Sequence, residues 1–193
     1  MTDLYRFLST SQHPLARAAR SLHRAVQQIE IPAPQPVVLP LRVAFEAARE
    51  AYYFGVRVLV SEPLLKSYAR EHGRRIRSGD WVHWIRGSGD LILGDDVAFS
   101  GKVNINFSSR FVDRPTLRIG DGTGIGHGCH FTVARAITIG RKCRLAAGVR
   151  MFASNGHPAD PAARRAGAPP PAEEVRPIVI ADNVWIGAGA MIF

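Results

Sequence analysis

A repeat of six residues dominates the second half of the chain. Each copy begins with an aliphatic residue, is followed by Gly or Ala, and has a small or β-branched residue at its fifth position. The seven copies begin at Leu93, Ile119, Ile125, Ile139, Leu145, Ile180 and Ile186. Six of these copies form adjacent pairs whose starts lie six residues apart. A period this short predicts short strands joined by turns, in coils that stack and pair with one another.

The repeat also predicts where the side chains of one hexad lie. The aliphatic first residue points inward, the small fifth residue fits a buried corner, and Gly or Asn between them supplies turns with positive φ. Cys129 and Cys143 both occupy a fifth position, so we interpret them as packing residues, with a redox or nucleophilic role as the alternative. The hexads predict a mostly β domain over residues 81–193, folded as a parallel β-helix.

The spacing between hexads locates two insertions. Three hexads make a coil of 18 residues, but Leu93 and Ile119 lie 26 residues apart, a surplus of eight. Ile139 and Ile180 lie 41 residues apart, a surplus of 23, and this longer insertion begins at His157. A loop of this length in so regular a fold is usually functional.

Residues 1–80 carry a different, helical pattern and predict an N-terminal helical extension. Apolar residues follow helical spacing, or helix formers dominate, within the ranges 4–8, 15–22, 43–53 and 64–71. The proline-rich segment Ile31–Pro36 predicts an extended linker between two of these regions.

The charge of the chain suggests an anionic partner but is not specific. The net charge is +9, and only three of the 25 basic residues are lysines, which resembles the coding bias of a GC-rich genome. The arginines cluster at 17–24 and 70–77 rather than forming one stripe, so we expect no nucleic-acid partner. Weak association with a membrane surface or an acidic polysaccharide is one interpretation, and solvated helix faces are the other.

The N-terminus shows no basic start followed by a long apolar run, so we expect no signal peptide. The most apolar stretch, residues 36–60, is interrupted by charged residues and does not read as a membrane span. These features predict a cytoplasmic protein, with the inner face of the membrane as a further location.

Three segments together resemble the hexapeptide-repeat acyltransferases. They are the hexads, the loop opening GHPADPAARR at 156–165, and the returning strand region PIVIADNVWIGAGAMIF at 177–193. The galactoside, maltose and xenobiotic O-acetyltransferases and the polysaccharide acetyltransferases are the most similar groups. The resemblance covers residues 91–193, and the N-terminal part is similar to the helical extension of exopolysaccharide-type members. It implies a left-handed β-helix, a homotrimer with active sites between neighbouring subunits, and acetyl-CoA as cosubstrate.

The resemblance also implies a catalytic base. His157 aligns with the catalytic histidine of the family, and an imidazole suits this role because its ordinary pKa of about 6.5 allows proton exchange near neutrality. Pro158 biases His157 toward an extended backbone, which would direct the imidazole into a cleft. The alternative is a histidine that only caps the loop. We therefore predict direct acetyl transfer to a hydroxyl of a sugar or polysaccharide precursor, with His157 as general base.

Five further residues are candidates for contacts with the substrates. By resemblance, Trp185 lies beside the donor or acceptor, and the backbone N–H of Ala188 contacts the thioester region. Asn106 lies in a segment similar to an acceptor-binding segment, although an extra coil separates it from His157. His130 could line the cleft. Asp160 could orient His157 or bind a hydroxyl, or simply make a turn between prolines.

Three histidines in the repeat region raise the alternative of a metal site. His127, His130 and His157 suggest a three-histidine zinc site, but their spacing does not resemble that of the β-helical carbonic anhydrases, so we expect no metal. A non-catalytic β-helical scaffold and an acyltransferase with an amine or amino-acid acceptor remain as alternatives. Because the sequence reaches Phe193 in the middle of a coil, we expect it to be part of a longer enzyme.

Overall fold

The computed structural model describes residues 2–193 of the chain. The chain divides into two compact units between Ala47 and Ala48. The predicted boundary at residue 80 between a helical extension and the repeat domain stays a prediction.

Helices occupy the N-terminal part, as the apolar spacing predicts. They are α1 (Thr2–Thr10), α2 (Pro14–Gln27), α3 (Gln35–Val56), a π-helical segment (Arg57–Ser61) and α4 (Glu62–Tyr68). Pro14 opens α2, where the missing N–H costs nothing, and His13 Nδ1 accepts a hydrogen bond from the Leu15 N–H at 3.2 Å. None of the described helices is long and apolar enough to cross a membrane.

Two details of the helical part differ from the prediction. The linker is shorter, because α3 already begins at Gln35 with Pro36 in its first turn, where proline is well tolerated. The last helix ends at Tyr68 rather than Glu71, because Ala69 turns to an extended backbone with ψ 127. Residues Ala69–His72 form the first strand instead and pair with a repeat strand.

The remaining chain forms three sheets of parallel strands. The strands are β1 (Ala69–His72), β2 (Trp84–Arg86), β3 (Asp90–Leu93), β4 (Ala98–Phe99), β5 (Asn104–Phe107), β6 (Thr116–Ile119), β7 (Gly124–Ile125), β8 (His130–Val133), β9 (Ala136–Ile139), β10 (Arg144–Leu145), β11 (Arg150–Phe152), β12 (Ile178–Ile180), β13 (Trp185–Ile186) and β14 (Met191–Ile192). The first sheet has the order β1-β3-β6-β9-β12, the second β13-β10-β7-β4 and the third β14-β11-β8-β5-β2. From β3 onward the chain visits the three sheets in turn, which is compatible with the predicted parallel β-helix.

The core of the sheets follows the hexad positions. First-position residues such as Ile119 and Ile125 are buried, and so are Cys129 and Cys143 at the fifth position, which confirms their packing role. The fourth position takes a positive φ in every hexad, including 65° at Asn183, as the turn prediction requires. The regular in-register stack therefore fixes which side chains face out.

The long insertion lies between β11 and β12. It contains the short helix α5 (Pro161–Arg165) and a 3₁₀ turn (Ala172–Glu174) before the chain returns at Ile178. Both strands that flank it pair in register with the preceding coil. The insertion thus leaves the strand pairing on both sides unchanged.

Candidate active site

The outer face of the third sheet brings together polar residues from successive coils. Asn106 on β5 pairs in register with Thr132 on β8, and Thr132 pairs with Phe152 on β11. The neighbours of Asn106 in its strand, Ile105 and Phe107, are buried, so Asn106 points outward. A row of side chains therefore leads along this face toward the long loop.

A cavity of about 300 Å³ lies where this row meets the loop. Its polar lining consists of Asn106, Ser108, Arg110, Thr132, Ser154 and Gly156, and Phe111 and Pro170 contribute apolar walls. Although β8 separates β5 from β11 in the sheet, Asn106 and the start of the loop share this cavity. The loop thus encloses part of the outer face instead of extending away from it.

The backbone around His157 is fixed on both sides. The buried Ser154 Oγ accepts a hydrogen bond from the Gly156 N–H at 3.1 Å, and Gly156 adopts a φ of 79°, which favours glycine. Pro158 is buried, whereas His157 between them is exposed. No hydrogen bond within residues 2–193 engages the imidazole of His157, so both ring nitrogens are available to a substrate.

The following residues hold this conformation from within the loop. The Arg164 guanidinium donates from Nη1 to the carbonyl oxygens of Pro158 and Ala159, each at 2.9 Å. Asp160 caps α5, and its Oδ2 accepts from the Ala163 N–H at 2.6 Å. In this structure the Asp160 carboxylate caps the helix within the loop, and a contact with His157 or with a substrate stays a prediction.

His130 lies on the same outer face, beside the cavity. Its Nε2 lies 3.2 Å from Thr132 Oγ1, and its ring centroid lies 5.6 Å from that of Phe152. Burial and the charge of Arg150 lower the pKa of His130. Both effects favour the neutral form of this ring, which lies next to a residue that lines the cavity.

His127 belongs to a different surface, although it stands in the same hexad as His130. It is exposed and lines a groove on the second sheet. Within residues 2–193 no group of three or more His, Cys, Asp or Glu side chains is arranged to hold a metal ion.

Trp185 and Ala188 also lie away from the cavity within one chain. Trp185 belongs to β13 of the second sheet, is 76% exposed, and pairs in register with Arg144. Ala188 is exposed in the turn between β13 and β14. Within one chain, Asn106 therefore lines the cavity, with His130 beside it and His157 next to the lining residue Gly156, whereas Trp185 lies on the second sheet and Ala188 in the turn after it.

A second groove, of about 410 Å³, lies on the second sheet beside Arg144, the strand partner of Trp185. Small residues form most of its floor, namely Ala98, Gly124, Gly126, Ala146 and Ala147, and Arg144 adds a positive charge at its wall. Ser100, Ile125, His127 and Leu145 complete the lining of this groove.

The cavity wall contains residues that the sequence analysis missed, among them Arg110, Phe111 and Thr132. Thr132 follows His130 by two residues in a strand, so the period of two could have indicated a shared face. Arg110 and Phe111 belong to the surplus of eight residues between the coils that begin at Leu93 and Ile119. That surplus was the signal for a second loop at the site.

A buried ion pair fixes the end of this second loop. Asp90, with a side chain only 5% exposed, accepts from Arg114 Nε at 2.9 Å and from Arg70 Nη1 at 2.7 Å, and Arg114 Nη2 also contacts it. The hydrogen bonds from Arg114 and Arg70 lower the pKa of Asp90 to about 2. Asp90 thus anchors the segment that carries Arg110 and Phe111.

Comparisons with known proteins find relatives among curated proteins. A protein of Dictyostelium discoideum described as a "putative acetyltransferase" is 38% identical over 86 residues, which cover 40% of this chain and 43% of that protein. The chain thus spans less than half of the length of the curated relative that it matches. No protein-family model matches the chain. No solved structure matches it either. The similarity supports a transferase role of the acyltransferase type in general.

Proposed function

We propose that the chain is the catalytic part of an O-acetyltransferase that moves the acetyl group of acetyl-CoA to a hydroxyl of a sugar or polysaccharide precursor. The observation that carries this proposal is the placement of His157, exposed and without a partner among residues 2–193, directly after Gly156 in the cavity wall. The similarity to a relative described as an acetyltransferase supports acetyl transfer in general.

The chemistry requires little beyond a base and aligned substrates. His157 takes the proton of the acceptor hydroxyl while its oxygen attacks the thioester carbonyl carbon. A C–O bond forms and the C–S bond breaks, and the leaving thiolate takes the proton from the imidazolium. The fixed loop lowers the cost of placing the imidazole, because Ser154 and Arg164 already hold the backbone on both sides.

The cavity lining favours a hydroxylated acceptor. Asn106, Ser108 and Thr132 offer amide and hydroxyl groups that can exchange hydrogen bonds with a sugar, and Phe111 offers an apolar surface for a ring. Arg110 adds a positively charged donor to the same wall, which can donate hydrogen bonds to hydroxyl oxygens.

The donor is proposed to bind on the second sheet. The groove of small residues there suits the extended arm of coenzyme A, and Arg144 suits a phosphate group. Trp185 and Ala188 would then contact the donor, as the resemblance implies. A left-handed β-helix that assembles as a homotrimer would bring this groove of one subunit to the cavity of its neighbour, and so would unite the two surfaces that a single chain keeps apart.

Release of free thiol from acetyl-CoA tests the proposal over a panel of sugars and amines. We expect His157→Ala to lower kcat/KM by about 10²- to 10⁴-fold, the usual contribution of a general base. His72→Ala is the matched control, because His72 is an exposed histidine on the first sheet. Its rate should equal that of the unchanged chain.

Three other outcomes would count against the proposal. Undiminished transfer by a folded His157→Ala variant would exclude the imidazole as base. Transfer to amines alone would replace the acceptor class. Absence of thiol release with every acceptor, at donor concentrations that saturate binding, would favour a non-catalytic scaffold.

A further inference from the structure

Helix α2 carries an apolar stripe that no other described residue of the first unit covers. Leu15, Leu22 and Val26 follow one another at intervals of seven and four residues, which places them on one face of the helix. Their exposed fractions are 69%, 66% and 56%. Arg17 and Arg24 lie on the opposite face, so the helix has a sharply divided surface.

Helix α2 packs against α1 through Ala16 and Arg20 and not through its apolar stripe. Ala16 is fully buried, and Arg20 donates from Nη1 to the Leu8 carbonyl at 2.6 Å and from Nη2 to the Ser11 carbonyl at 2.9 Å. These bonds satisfy carbonyl groups at the C-terminal end of α1. Because the polar side of α2 is engaged in this way, its apolar stripe is left facing outward.

The first unit has no other place to bury this stripe. Ala16 is the one buried residue among residues 4–47, and α1 adds the exposed side chains of Leu4 and Tyr5. Exposed apolar surface of this extent on a soluble chain marks an interaction site. The stripe is called the N-terminal apolar face below, defined by Leu15, Leu22 and Val26.

The charge around this face indicates what covers it. Residues 4–29 contain Arg6, Arg17, Arg20 and Arg24 and not a single Asp or Glu. Within residues 4–193 none of these four arginines forms an ion pair. A second copy of this chain would bring the same four arginines to the contact, against only Asp3 and Glu30 at the two ends of this segment, so self-association leaves a net positive charge without compensation.

The second arginine cluster, at residues 70–77, differs from the N-terminal one because three of its arginines have carboxylate partners. Arg70, Arg74 and Arg75 pair with Asp90, Asp95 and Asp96 at 2.7, 2.9 and 2.5 Å respectively. Those positive charges are already compensated by carboxylates of β3 and of the turn that follows it. The four arginines of the N-terminal segment, in contrast, have no carboxylate partner among residues 4–193, so their charge is available to a partner.

We propose that α1 and α2 dock on an anionic lipid surface, with the N-terminal apolar face at the boundary between headgroups and acyl chains. A helix with an apolar face and arginines on its polar face is the arrangement that lies in the plane of a membrane interface. The arginines are attracted to anionic headgroups, and the apolar side chains leave water. This inference is independent of the acetyl-transfer proposal.

Co-sedimentation with lipid vesicles tests it, with phosphatidylcholine alone and with phosphatidylcholine plus phosphatidylglycerol as probes. We expect binding to the mixed vesicles, weakened by added salt, and much less to the neutral ones. Leu15→Gln combined with Leu22→Gln should weaken binding about tenfold or more, because the apolar contribution of two leucines is lost while helix propensity is kept. Arg17→Gln and Arg24→Gln should each weaken it about fivefold.

Matched controls lie in the second unit. Val179→Gln removes an apolar side chain that is 71% exposed on β12, and Arg118→Gln removes an exposed arginine on β6. Neither change should affect sedimentation with vesicles. Equal binding to neutral and anionic vesicles, or equal losses in the control variants, would overturn the proposal. So would oligomers that the double leucine variant abolishes in the absence of any lipid binding, since the face would then belong to a second copy.

Discussion

The two units of this chain use their apolar residues in opposite ways. In the unit that ends at Ala47, apolar side chains line helices, and Ala16 alone is buried among residues 4–47. In the unit Ala48–Phe193, aliphatic side chains of successive coils stack into one buried cluster. Strand pairing in register places each inward residue against equivalent residues in the coils above and below. A helix stripe has no such built-in partner, so it needs a surface supplied from outside.

The strongest test of this contrast compares one apolar substitution in each unit. Phe131 is fully buried on β8, and we expect Phe131→Ala to lower the free energy of unfolding by about 3–5 kcal/mol. Leu22→Gln changes an exposed side chain on α2 and should alter it by less than about 0.5 kcal/mol. Urea unfolding followed by circular dichroism measures both values.

Two results of the same urea unfolding experiment would contradict this difference between the units. A loss of more than about 2 kcal/mol in Leu22→Gln would mean that the N-terminal apolar face is buried in solution. A small loss in Phe131→Ala would mean that the stacked coils do not form one cooperative core.

Burial also makes the second unit sensitive to pH. His83 is 7% exposed, packs on Phe99 with a centroid distance of 4.9 Å, and accepts a hydrogen bond at Nδ1 from the Val103 N–H at 3.3 Å. Burial lowers the pKa of His83 from 6.5 to about 4. Between these values the unfolded chain binds a proton that the folded chain does not, so stability is complete above pH 6.5 and falls as the pH approaches 4.

The lower pKa of His83 in the folded chain corresponds to about 3 kcal/mol of folding stability, which is lost as the pH falls from 6.5 to 4. We expect His83→Gln to flatten this part of the profile, because glutamine can accept from the Val103 N–H but does not titrate. Urea unfolding at a series of pH values measures the slope. An equally steep profile in the variant would assign the pH dependence to other groups.

Much of the repeat region could be predicted because its period is short. The hexads at Ile119, Ile125 and Ile139 predict inward residues, turns with positive φ and the burial of Cys143, and the structure confirms all of these features. Strand β1 was missed, since its residues Ala69–His72 belong to no hexad and follow a helix former pattern. It becomes a strand because the edge of β3 offers backbone groups to pair with, which is a tertiary effect.

The candidate site was harder to predict than the fold. The resemblance singles out His157, but the cavity beside it depends on how two insertions fold over one sheet face. Asn106 and Gly156 lie far apart in the sequence, and only the stack in register with Thr132 makes both line one cavity. Arg110 carries no periodic signal, because loop residues are placed by anchors such as Asp90 and Arg114.

The smallest test concerns two glycines, one between stacked coils and one on a helix. A Cβ added at Gly126 would lie 2.6 Å from the carbonyl carbon of Ala146, so the backbone of the adjacent coil would have to move. We expect Gly126→Ala to destabilise the chain by about 1–3 kcal/mol. Gly55 lies in α3 with no other atom within 4 Å of such a Cβ, so Gly55→Ala should instead stabilise the helix by about 0.5–1 kcal/mol.

Thermal unfolding of the two variants beside the unchanged chain gives the sign of each effect. Opposite shifts in Tm would show that close packing is specific to the stacked coils, whereas the helix surface has room to spare. A neutral or stabilising Gly126→Ala would mean that neighbouring coils are farther apart than the contact between Gly126 and Ala146 requires. Such a result would contradict the close packing of neighbouring coils. The geometry of both the cavity and the groove depends on this packing.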